Sequence, residues 1–317
     1  MHESVLLNET IESLNLKDNS IAVDMTLGFA GHSSQILKRI KNGYLFAFDQ
    51  DEEALTYSKE KLSKISDNFQ IIDSNFVYAK DKLKSLGIEK VDAILYDLGV
   101  SSPQLDEDYR GFSYRFDAPL DMRMDKDNKL TAKLIVNTYS YDELKRIFKD
   151  YGESKFSSQI ARNIVKYRET KKIETTLELV DIIKSSVPYK ERVKKHPAKQ
   201  IFQALRIEVN DELNVLKKSL DDSLSILNIN GRIAVITFHS LEDKIVKKKF
   251  NEICEIDPLS KGLPNVPIDK LPDFKLITKK GIKASSEELE HNNRAHSATL
   301  RVIERIKWEV YLWLREK

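Results

Sequence analysis

The stretch from Ile21 to Ser33 constrains the fold more than any other part of this 317-residue sequence. A short apolar run ends at Asp24, a turn containing Gly28 and Gly31 follows, and an amphipathic helical pattern comes next. Strand, tight turn and helix in this order form the first unit of an open parallel sheet, where ligands bind beyond the carboxyl ends of the strands. We therefore predict that the residues from Asp24 to His32 line a ligand pocket.

A second apolar run ends at Asp49, eighteen positions after Gly31. An acidic residue at the end of the second strand, about 20 residues after a glycine turn, is placed to accept hydrogen bonds from ribose hydroxyls. The two-glycine turn alone is equally typical of an ordinary connection between a strand and a helix. In combination with Asp24 and Asp49 it favours a cofactor that contains adenosine, without deciding which one.

The apolar runs at 69–72 and 91–96 continue the alternation of strands and helices, and the second of them is followed by Asp97. This rhythm predicts a doubly wound α/β sheet of the Rossmann type. Residues 131–186 then carry helical patterns without strand patterns between them. They indicate an inserted all-α domain that lies over the carboxyl end of the fourth strand.

Strand character returns late in the chain. A single long amphipathic helix is predicted over 202–227, a strand over 231–238, and closing strands over 274–278 and 299–306. We expect a discontinuous domain formed by residues 1–106 and 207–317, which binds the cofactor. Residues 107–206 form the helical insertion, to which we assign substrate recognition.

The composition fits a chain with a sizeable hydrophobic core, since 41% of the residues are hydrophobic and 32% are charged. The net charge of +2 indicates no particular partner. Cys254 is the only cysteine, which excludes an internal disulfide framework and a four-cysteine zinc site, and we predict no metal site. No apolar stretch approaches about 18 residues and no signal-peptide pattern is present, so we expect a cytoplasmic protein without membrane contact.

The segment from Asp97 to Gln104 carries the densest set of polar groups at a predicted strand end. The carboxylate is followed by the hydroxyls of Ser101 and Ser102 and by the amide of Gln104. We interpret Asp97, Ser101 and Ser102 as catalytic candidates. His239, after the later strand, is a fourth candidate, although a hydrogen-bonded structural histidine explains it equally well.

Several long motifs follow one another along the chain. They are Asp24-Met-Thr-Leu-Gly28, Gly31-His-Ser33, Asp97-Leu-Gly-Val-Ser-Ser-Pro-Gln-Leu-Asp106, Arg110-Gly-Phe-Ser113, Pro119-Leu-Asp-Met-Arg-Met124, His196-Pro-Ala198, Phe202-Gln-Ala-Leu-Arg206 and Phe238-His-Ser-Leu-Glu-Asp243. With them the sequence, from Glu3 to about Arg305, resembles the bacterial ribosomal RNA small-subunit methyltransferase H family, the MraW type. The resemblance implies a class I methyltransferase sheet, S-adenosylmethionine as cofactor, and direct in-line methylation of the exocyclic N4 of a cytidine in the decoding centre of 16S ribosomal RNA.

The turn itself and the resemblance together give a set of cofactor-binding candidates. They lie at the ends of the first four strands and in the turns that follow: Asp24, Gly28, Ala30, Gly31, His32, Asp49, Phe76, Asp97 and Gln104. The resemblance implies that Asp49 is the carboxylate of the cofactor site and Phe76 the ring that follows the third strand. Asp97 orients the amino-acid end of the cofactor, the acceptor amine, or both.

The sequence departs from the family pattern at two positions. Ala30 stands where the family usually has glycine, which preserves the backbone contact unless φ at this position is positive. His296 stands where the family commonly has arginine, which weakens any anion-binding role there.

RNA binding requires contacts to phosphates, and basic residues supply them. The candidates are basic or aromatic residues of the insertion and of the helix after the later strand: Arg110, Phe112, Lys194, Lys195, His196, Lys199, Lys247 and Lys248. A run of charges is also typical of a solvated helix face, and Phe112 either stacks on a base or packs against the insertion. The implied partner is 16S ribosomal RNA within the small ribosomal subunit; whether the protein is a monomer or a homodimer stays open.

Two other functions fit parts of the sequence. An NAD-dependent Rossmann oxidoreductase shares the glycine turn, but only one spacing of the three-glycine fingerprint is present. A non-catalytic RNA-binding or ribosome-assembly protein on a methyltransferase scaffold is the second alternative. The acids Asp24, Asp49 and Asp97 argue against it without excluding it.

Overall fold

The structure, a computed structural model, describes residues 4–100, 109–194, 196–256, 258–260, 264, 266–267 and 270–306. The chain divides into two compact units. We call the one formed by Met1–Gly99 and Val215–Lys317 the sheet unit, and the one formed by Val100–Asn214 the helical unit. The assignment of substrate recognition to the insertion stays a prediction.

Strands and helices alternate through the first part of the sheet unit. In chain order they are α1 (Leu7–Ser13), β1 (Ile21–Asp24), α2 (Gly31–Arg39), β2 (Tyr44–Asp49), α3 (Glu52–Ser63), β3 (Phe69–Asp73), α4 (Ala79–Ser85) and β4 (Val91–Asp97). The helical unit contributes α5 (Ala132–Thr138), α6 (Tyr141–Asp150), α7 (Ser157–Arg168), α8 (Thr176–Ser185), α9 (Tyr189–Lys194) and α10 (Ala198–Asn210). The chain then continues through α11 (Glu212–Ile226), β5 (Leu227–Thr237), α12 (Ser240–Cys254), β6 (Phe274–Leu276), α13 (Ser286–His291) and β7 (Thr299–Arg305).

Within the described residues these strands form a seven-stranded sheet in the order β3-β2-β1-β4-β5-β7-β6. The first five strands are parallel, and β7 is antiparallel to both of its neighbours. The predicted Rossmann-like α/β fold class is confirmed. The order of the strands places β1 between β2 and β4, so their carboxyl ends share one edge of the sheet.

The parallel strands read as continuous apolar runs because helices cover both faces of the sheet. In β4, Ala93 and Leu95 belong to the hydrophobic cluster shared with α1, α2 and α3. Ile94 and Tyr96 belong to the opposite cluster, with α4, α11 and α12. Successive side chains of a strand point to opposite faces, so every residue of β4 between Ala93 and Tyr96 is buried.

The helical unit has a hydrophobic core of its own, to which helices α5 to α8 and α10 contribute buried aliphatic and aromatic side chains. Local capping signals set the beginnings of its helices. Ser140 and Glu143 form a capping box at the start of α6, and Thr175 and Glu178 form another at the start of α8.

The single helix predicted over 202–227 is wrong. The structure has two helices, α10 and α11, which are separated at Asp211, where φ is +50°. The apolar pattern continues across this break and therefore does not reveal it. Arg206 and Glu212 close the break with a bidentate ion pair of 2.8 and 2.9 Å.

Candidate functional site

Three acidic residues end three neighbouring strands of the sheet unit. Asp24 ends β1, Asp49 ends β2 and Asp97 ends β4. The Thr26 hydroxyl accepts a hydrogen bond from the backbone N–H of Asp97 at 2.7 Å and so joins the turn after β1 to the end of β4. The sequence predicted that these acids meet at one edge of the sheet, and the strand order brings them there.

The Asp24 carboxylate is buried and holds the turn after β1 in shape. Its Oδ1 accepts a hydrogen bond from the backbone N–H of Thr26 at 3.1 Å, and its Oδ2 accepts one from the Ser33 hydroxyl at 2.7 Å. Burial raises the pKa of Asp24, although both hydrogen bonds and the imidazole of His32 oppose the shift. Both oxygens of Asp24 therefore hold the turn after β1, and its role in cofactor binding stays a prediction.

The Asp49 carboxylate joins β2 to the glycine turn. Its Oδ2 accepts a hydrogen bond from the backbone N–H of Gly28 at 2.8 Å. Its Oδ1 accepts bonds from the N–H groups of Gln50 and Asp51 at 2.8 and 3.0 Å. Burial of the carboxyl group raises the pKa of Asp49 to about 6 in spite of these three donors. The residue as a whole stays partly exposed, so a ligand can still reach it.

The turn after β1 uses the left-handed backbone conformation twice. Gly28 has a φ of +47°, and Ala30, which precedes α2, has a φ of +53°. Because φ at Ala30 is positive, the alanine that stands where the family usually has glycine strains the backbone. A left-handed conformation costs a residue with a Cβ roughly 1–2 kcal/mol. At Gly31 a Cβ would lie 1.7 Å from the Ser4 Oγ, so a larger residue there would require the Ser4 side chain to move.

His32 and Asp97 form a pair that joins the start of α2 to the end of β4. The imidazole Nδ1 lies 3.4 Å from the Asp97 Oδ2, and the His32 side chain is only 4% exposed. Burial alone would lower the pKa of His32, but the hydrogen bond and charge of Asp97 and the charge of Asp24 outweigh it and raise the pKa. Two carboxyl groups, those of Asp97 and Asp24, thus favour the protonated imidazole.

Two polar atoms of this pair have no hydrogen-bond partner among the described residues. They are the Asp97 Oδ1 and the His32 Nε2, and both are buried. The backbone of Val5 lies near enough to His32 to favour its protonated form, but not in a geometry that satisfies Nε2. Buried polar atoms are rarely left unpaired, so the Asp97 Oδ1 indicates that a ligand group belongs beside it.

Phe76 follows β3 and lies at the same edge of the sheet. Its ring packs edge-on against Tyr96, with 5.6 Å between the ring centroids, and it is partly exposed. The predicted residues Ser101, Ser102 and Gln104 lie outside the described residues. Their roles stay predictions.

The structure gives His239 a structural task. It is the N-cap of α12, and its Nδ1 accepts a hydrogen bond from the backbone N–H of Glu242 at 3.4 Å. The buried Glu242 carboxylate accepts bonds in return from the N–H groups of Phe238 and His239 at 2.8 and 3.2 Å. This capping box gives His239 a structural role, but its buried Nε2 has no hydrogen-bond partner among the described residues, and a catalytic role stays a prediction.

The structure contradicts the assignment of Arg110 and Phe112 as RNA contacts. The Arg110 side chain is buried and donates to the backbone carbonyls of Arg123 and Met124 at 3.0 and 3.4 Å. Phe112 belongs to the hydrophobic core of the helical unit. The guanidinium satisfies loop carbonyls and the ring packs against the insertion, so neither is available to a phosphate or a base.

The basic segment before α10 keeps its side chains at the surface. Lys194 is exposed and forms an ion pair of 2.8 Å with Glu191, and Lys199 is exposed as well. The His196 ring is stacked on Tyr114 with 4.8 Å between centroids. Partial burial and the charge of Lys184 lower the pKa of His196, which favours a neutral ring. Lys195 lies outside the described residues.

On α12 the lysines differ in their partners. Lys247 and Lys248 are exposed, and Lys248 lies 3.8 Å from Glu252 on the same helix. Lys249 forms an ion pair with Asp221 of α11 and is partly covered. Because Lys247 and Lys248 face solvent, they are accessible to phosphates.

Sequence reasoning missed several residues that hold the glycine turn. Ser58 donates a hydrogen bond to the carbonyl of Gly28 at 2.7 Å, and Lys61 donates one to the carbonyl of Phe29 at 2.9 Å. Both lie on α3, and only the fold brings them to the turn. Thr26 and Ser33 could have been predicted from the sequence, because short polar side chains next to an acidic residue at a strand end commonly form hydrogen bonds there.

None of the helices in the part of the chain that the structure describes is both long and apolar enough to cross a membrane.

Comparison with known proteins gives a close match in sequence. Residues 1–306 match the family model described as the MraW methylase family. Ribosomal RNA small subunit methyltransferase H of Streptococcus mutans is 54% identical over 310 residues, which cover 96% of this chain and 98% of that protein. The protein of the same name from Exiguobacterium sibiricum is 51% identical over 307 residues, with the same coverage of 96% and 98%.

Two solved structures that match this chain are more distant in sequence. An rRNA methylase from Streptococcus thermophilus is 12% identical with a TM-score of 0.42, over 94% of this chain and 92% of that chain. A putative methyltransferase from Streptococcus mutans in complex with SAH is 15% identical with a TM-score of 0.43, over 96% of this chain and 100% of that chain.

Proposed function

This chain belongs to the MraW methylase family, as its motifs predicted, and on that premise we propose that it methylates the exocyclic N4 of a cytidine in the decoding centre of 16S ribosomal RNA. The cofactor is S-adenosylmethionine. One observation carries the proposal: Asp24, Asp49 and Asp97 end adjacent strands around a single glycine turn, and the Asp97 Oδ1 is buried without a partner among the described residues. The names of the relatives supply the substrate, ribosomal RNA of the small subunit.

The residues at this edge of the sheet fit the cofactor. Asp49 retains some exposure and unused acceptor capacity toward the ribose hydroxyls, while the same carboxylate holds the N–H of Gly28. The unpaired Asp97 Oδ1 offers an acceptor to an amine. Phe76 adds aromatic surface. When bound, S-adenosylmethionine supplies a methyl group that its sulfonium has already activated.

The work left to the protein is mainly positioning. Direct transfer requires the acceptor nitrogen to lie in line with the methyl group, and holding two reactants in that geometry supplies a large part of the rate enhancement. The N4 lone pair of cytidine is delocalised into the ring, so a carboxylate that accepts a bond from the amine N–H strengthens the nucleophile as the new bond forms. Asp97 offers that acceptor. The amine that accepts the methyl group would lose one proton, to Asp97 or to water.

The RNA is held in this proposal by exposed lysines. Lys247 and Lys248 on α12 and Lys194 and Lys199 around α9 and α10 face solvent and can contact phosphates. A base in folded RNA must be unstacked before its amine can be methylated. We assign substrate recognition to the helical unit, and Ser101 and Ser102 remain predicted catalytic residues.

Methyl transfer to defined RNA tests the proposal. Small ribosomal subunits and naked 16S RNA, both from a strain that lacks the enzyme, are incubated with the protein and labelled S-adenosylmethionine, and nucleosides are separated after digestion. We expect label in N4-methylcytidine from at least one substrate. Label in any other nucleoside, or no label with either substrate, contradicts the proposed reaction.

Calorimetry separates the remaining alternatives. We expect the cofactor product S-adenosylhomocysteine to bind and NAD not to bind. Binding of NAD alone would favour the oxidoreductase. Binding of RNA without binding of S-adenosylhomocysteine would favour the assembly protein.

A further inference from the structure

His32 is a buried titratable residue to which the proposed reaction gives no task for its side chain. It lies in the first turn of α2, directly after Gly31. Its Nδ1 faces the carboxylate of Asp97 at 3.4 Å, across the gap between the helix and β4. The charged groups that act on the imidazole are Asp97 from β4 and Asp24 from β1, and the backbone of Val5 also favours the proton.

Asp97 is held on one side only. Its Oδ2 faces the imidazole, whereas its Oδ1 is buried and has no partner within the described ranges. Its backbone N–H is fixed by the Thr26 hydroxyl at 2.7 Å. The main chain and one carboxylate oxygen are thus anchored, and the second oxygen keeps its acceptor capacity for a donor outside the described chain.

We propose that His32 is a positioning residue, which donates through Nδ1 to the Asp97 Oδ2 and thereby presents the Oδ1 as the acceptor for an amine N–H of the ligand. The inference rests on the proposed function and deepens it. The shared chemistry is an N–H donor on nitrogen, and it has two sources: the amino group of the cofactor's amino-acid end and the exocyclic amine of the acceptor base.

The arrangement makes the site sensitive to pH in one direction. Asp97 and Asp24 favour the imidazolium, so the pKa of His32 lies above its ordinary value. As pH rises through that value the imidazole loses its charge, and the pair loses the attraction between opposite charges while the neutral ring can still donate to the carboxylate. Asp97 is then held less firmly, and activity declines on the alkaline side.

Two substitutions of His32 test the role. His32→Leu removes the donor, and His32→Asn places an amide N–H where Nδ1 stood. We expect His32→Leu to lower kcat/KM roughly 10- to 100-fold, as misplaced catalytic groups do. His32→Asn restores most of that loss but lacks the alkaline decline of the wild-type protein, because its amide does not titrate. Equal losses in both variants with an unchanged pH profile would overturn the proposal.

Ser33→Ala is the matched control. It removes the hydrogen bond from the same helix turn to Asp24 and leaves the Asp97 pair intact. We expect this variant to melt at a lower temperature while the shape of its pH profile stays that of the wild-type protein. A loss of the alkaline decline in Ser33→Ala would assign the effect to the turn as a whole and overturn the role of His32.

Binding experiments distinguish the two sources of the amine. If the cofactor supplies it, His32→Leu weakens S-adenosylhomocysteine binding and leaves the binding of its analogue without the amino group unchanged. If the acceptor base supplies it, both ligands bind as in the wild-type protein and only kcat falls. Either result supports the proposal, whereas weaker binding of both ligands to the same degree contradicts it.

The wild-type protein also provides a test that needs no variant. In a nuclear magnetic resonance titration of the side-chain nitrogens, we expect His32 to remain protonated above the pH at which exposed histidines lose their proton. An imidazole that is neutral at lower pH than those histidines would sink the inference. The proposed function fails on a different observation, absence of S-adenosylhomocysteine binding by the wild-type protein.

Discussion

Two turns of the sheet unit each place a histidine beside a carboxylate, but the carboxylate lies in a different element in each case. After β1, and again after β5, a strand leads to the start of a helix, where a histidine lies beside a carboxylate. At the second turn His239 accepts from the N–H of Glu242, within its own helix. At the first turn His32 faces Asp97, which belongs to another strand. His239 thus acts within its own helix, whereas His32 joins two elements and bears on the position of a further group.

The two carboxylates, Glu242 and Asp97, also differ in their hydrogen-bond partners. At the second turn both oxygens of Glu242 lie near donors, with Oε1 3.1 Å from the His239 Nε2 and Oε2 holding two backbone N–H groups. At the first turn the Asp97 Oδ1 has no partner in the described part of the chain. At the first turn the unpaired atoms therefore include a carboxylate oxygen, whereas at the second turn both carboxylate oxygens lie near donors and the unpaired atom is the His239 Nε2.

The largest expected effect tests the first turn directly. Asp97→Asn keeps the size of the side chain but removes its charge and half of its acceptor capacity, so we expect methyl transfer to fall on the order of 100-fold. Asp92→Asn is the matched control at the opposite end of β4, where Asp92 accepts from the N–H of Ile21 at 2.8 Å. Steady-state kinetics with small ribosomal subunits measure both. A loss in Asp97→Asn no larger than in Asp92→Asn breaks the comparison.

The second turn is expected to respond in stability. His239→Ala removes the N-cap of α12, which costs about 1 kcal/mol of the free energy of unfolding, and His239→Asn keeps a good cap. Urea unfolding measures both variants. Per molecule of folded enzyme, we expect either variant to lose less activity than Asp97→Asn loses. If His239→Asn is stable and as inactive as Asp97→Asn, His239 is catalytic and the contrast between the turns disappears.

The pH dependence of the cofactor site sharpens the comparison further. Burial raises the pKa of Asp49 to about 6, so the carboxyl group is neutral below that value and ionised above it. Ionisation strengthens its hydrogen bonds to ribose hydroxyls, and we expect S-adenosylhomocysteine to bind up to about tenfold more tightly at about pH 7 than at about pH 5. The folded state favours the proton, so the stability from this group is present at low pH and is lost as pH rises through about 6.

Asp49→Asn separates this titration from that of His32. In calorimetry across the same pH range we expect the variant to lose the rise in affinity, and in thermal melts to lose the fall in stability. Retention of both in Asp49→Asn would assign them to another group.

The smallest expected effect concerns how the two helices begin. Ala30 precedes α2 with a φ of +53°, whereas His239 precedes α12 with a φ of −142°. Ala30→Gly relieves left-handed strain of roughly 1–2 kcal/mol but adds about 0.5–1 kcal/mol of chain entropy to the unfolded state. We expect a gain in unfolding free energy of up to about 1 kcal/mol. Urea unfolding decides, and a clear loss would show that the Ala30 methyl, which is fully buried, matters more than the strain.

The sequence predicted the strand-end acids because a parallel sheet collects the carboxyl ends of its strands at one edge. It did not predict what the insertion does with polar residues. Arg110 reads as an RNA contact because a charge is expected at the surface, yet the carbonyls of Arg123 and Met124 satisfy it inside the fold. The break at Asp211 was missed for a similar reason, since a single left-handed residue leaves the apolar periodicity intact.

The two histidines show the same limit at the level of one side chain. The sequence around His32 and His239 does not indicate which carboxylate each histidine will face. The partner of His239 is three residues away along the chain, whereas that of His32 is 65 residues away. Local spacing makes a capping box visible in the sequence. A pair that spans two elements becomes visible only when the strand order is known.

The hydrogen bond from the Gly28 N–H to the Asp49 carboxylate affects the thermodynamics of ligand binding. The Asp49 carboxylate holds the glycine turn and is also the proposed acceptor for the ribose hydroxyls. The turn is therefore already rigid when the ligand binds. Little freedom then remains to be frozen at that moment, which lowers the entropic penalty of association. A variant without this hydrogen bond would bind its ligand with a more favourable enthalpy and a weaker affinity.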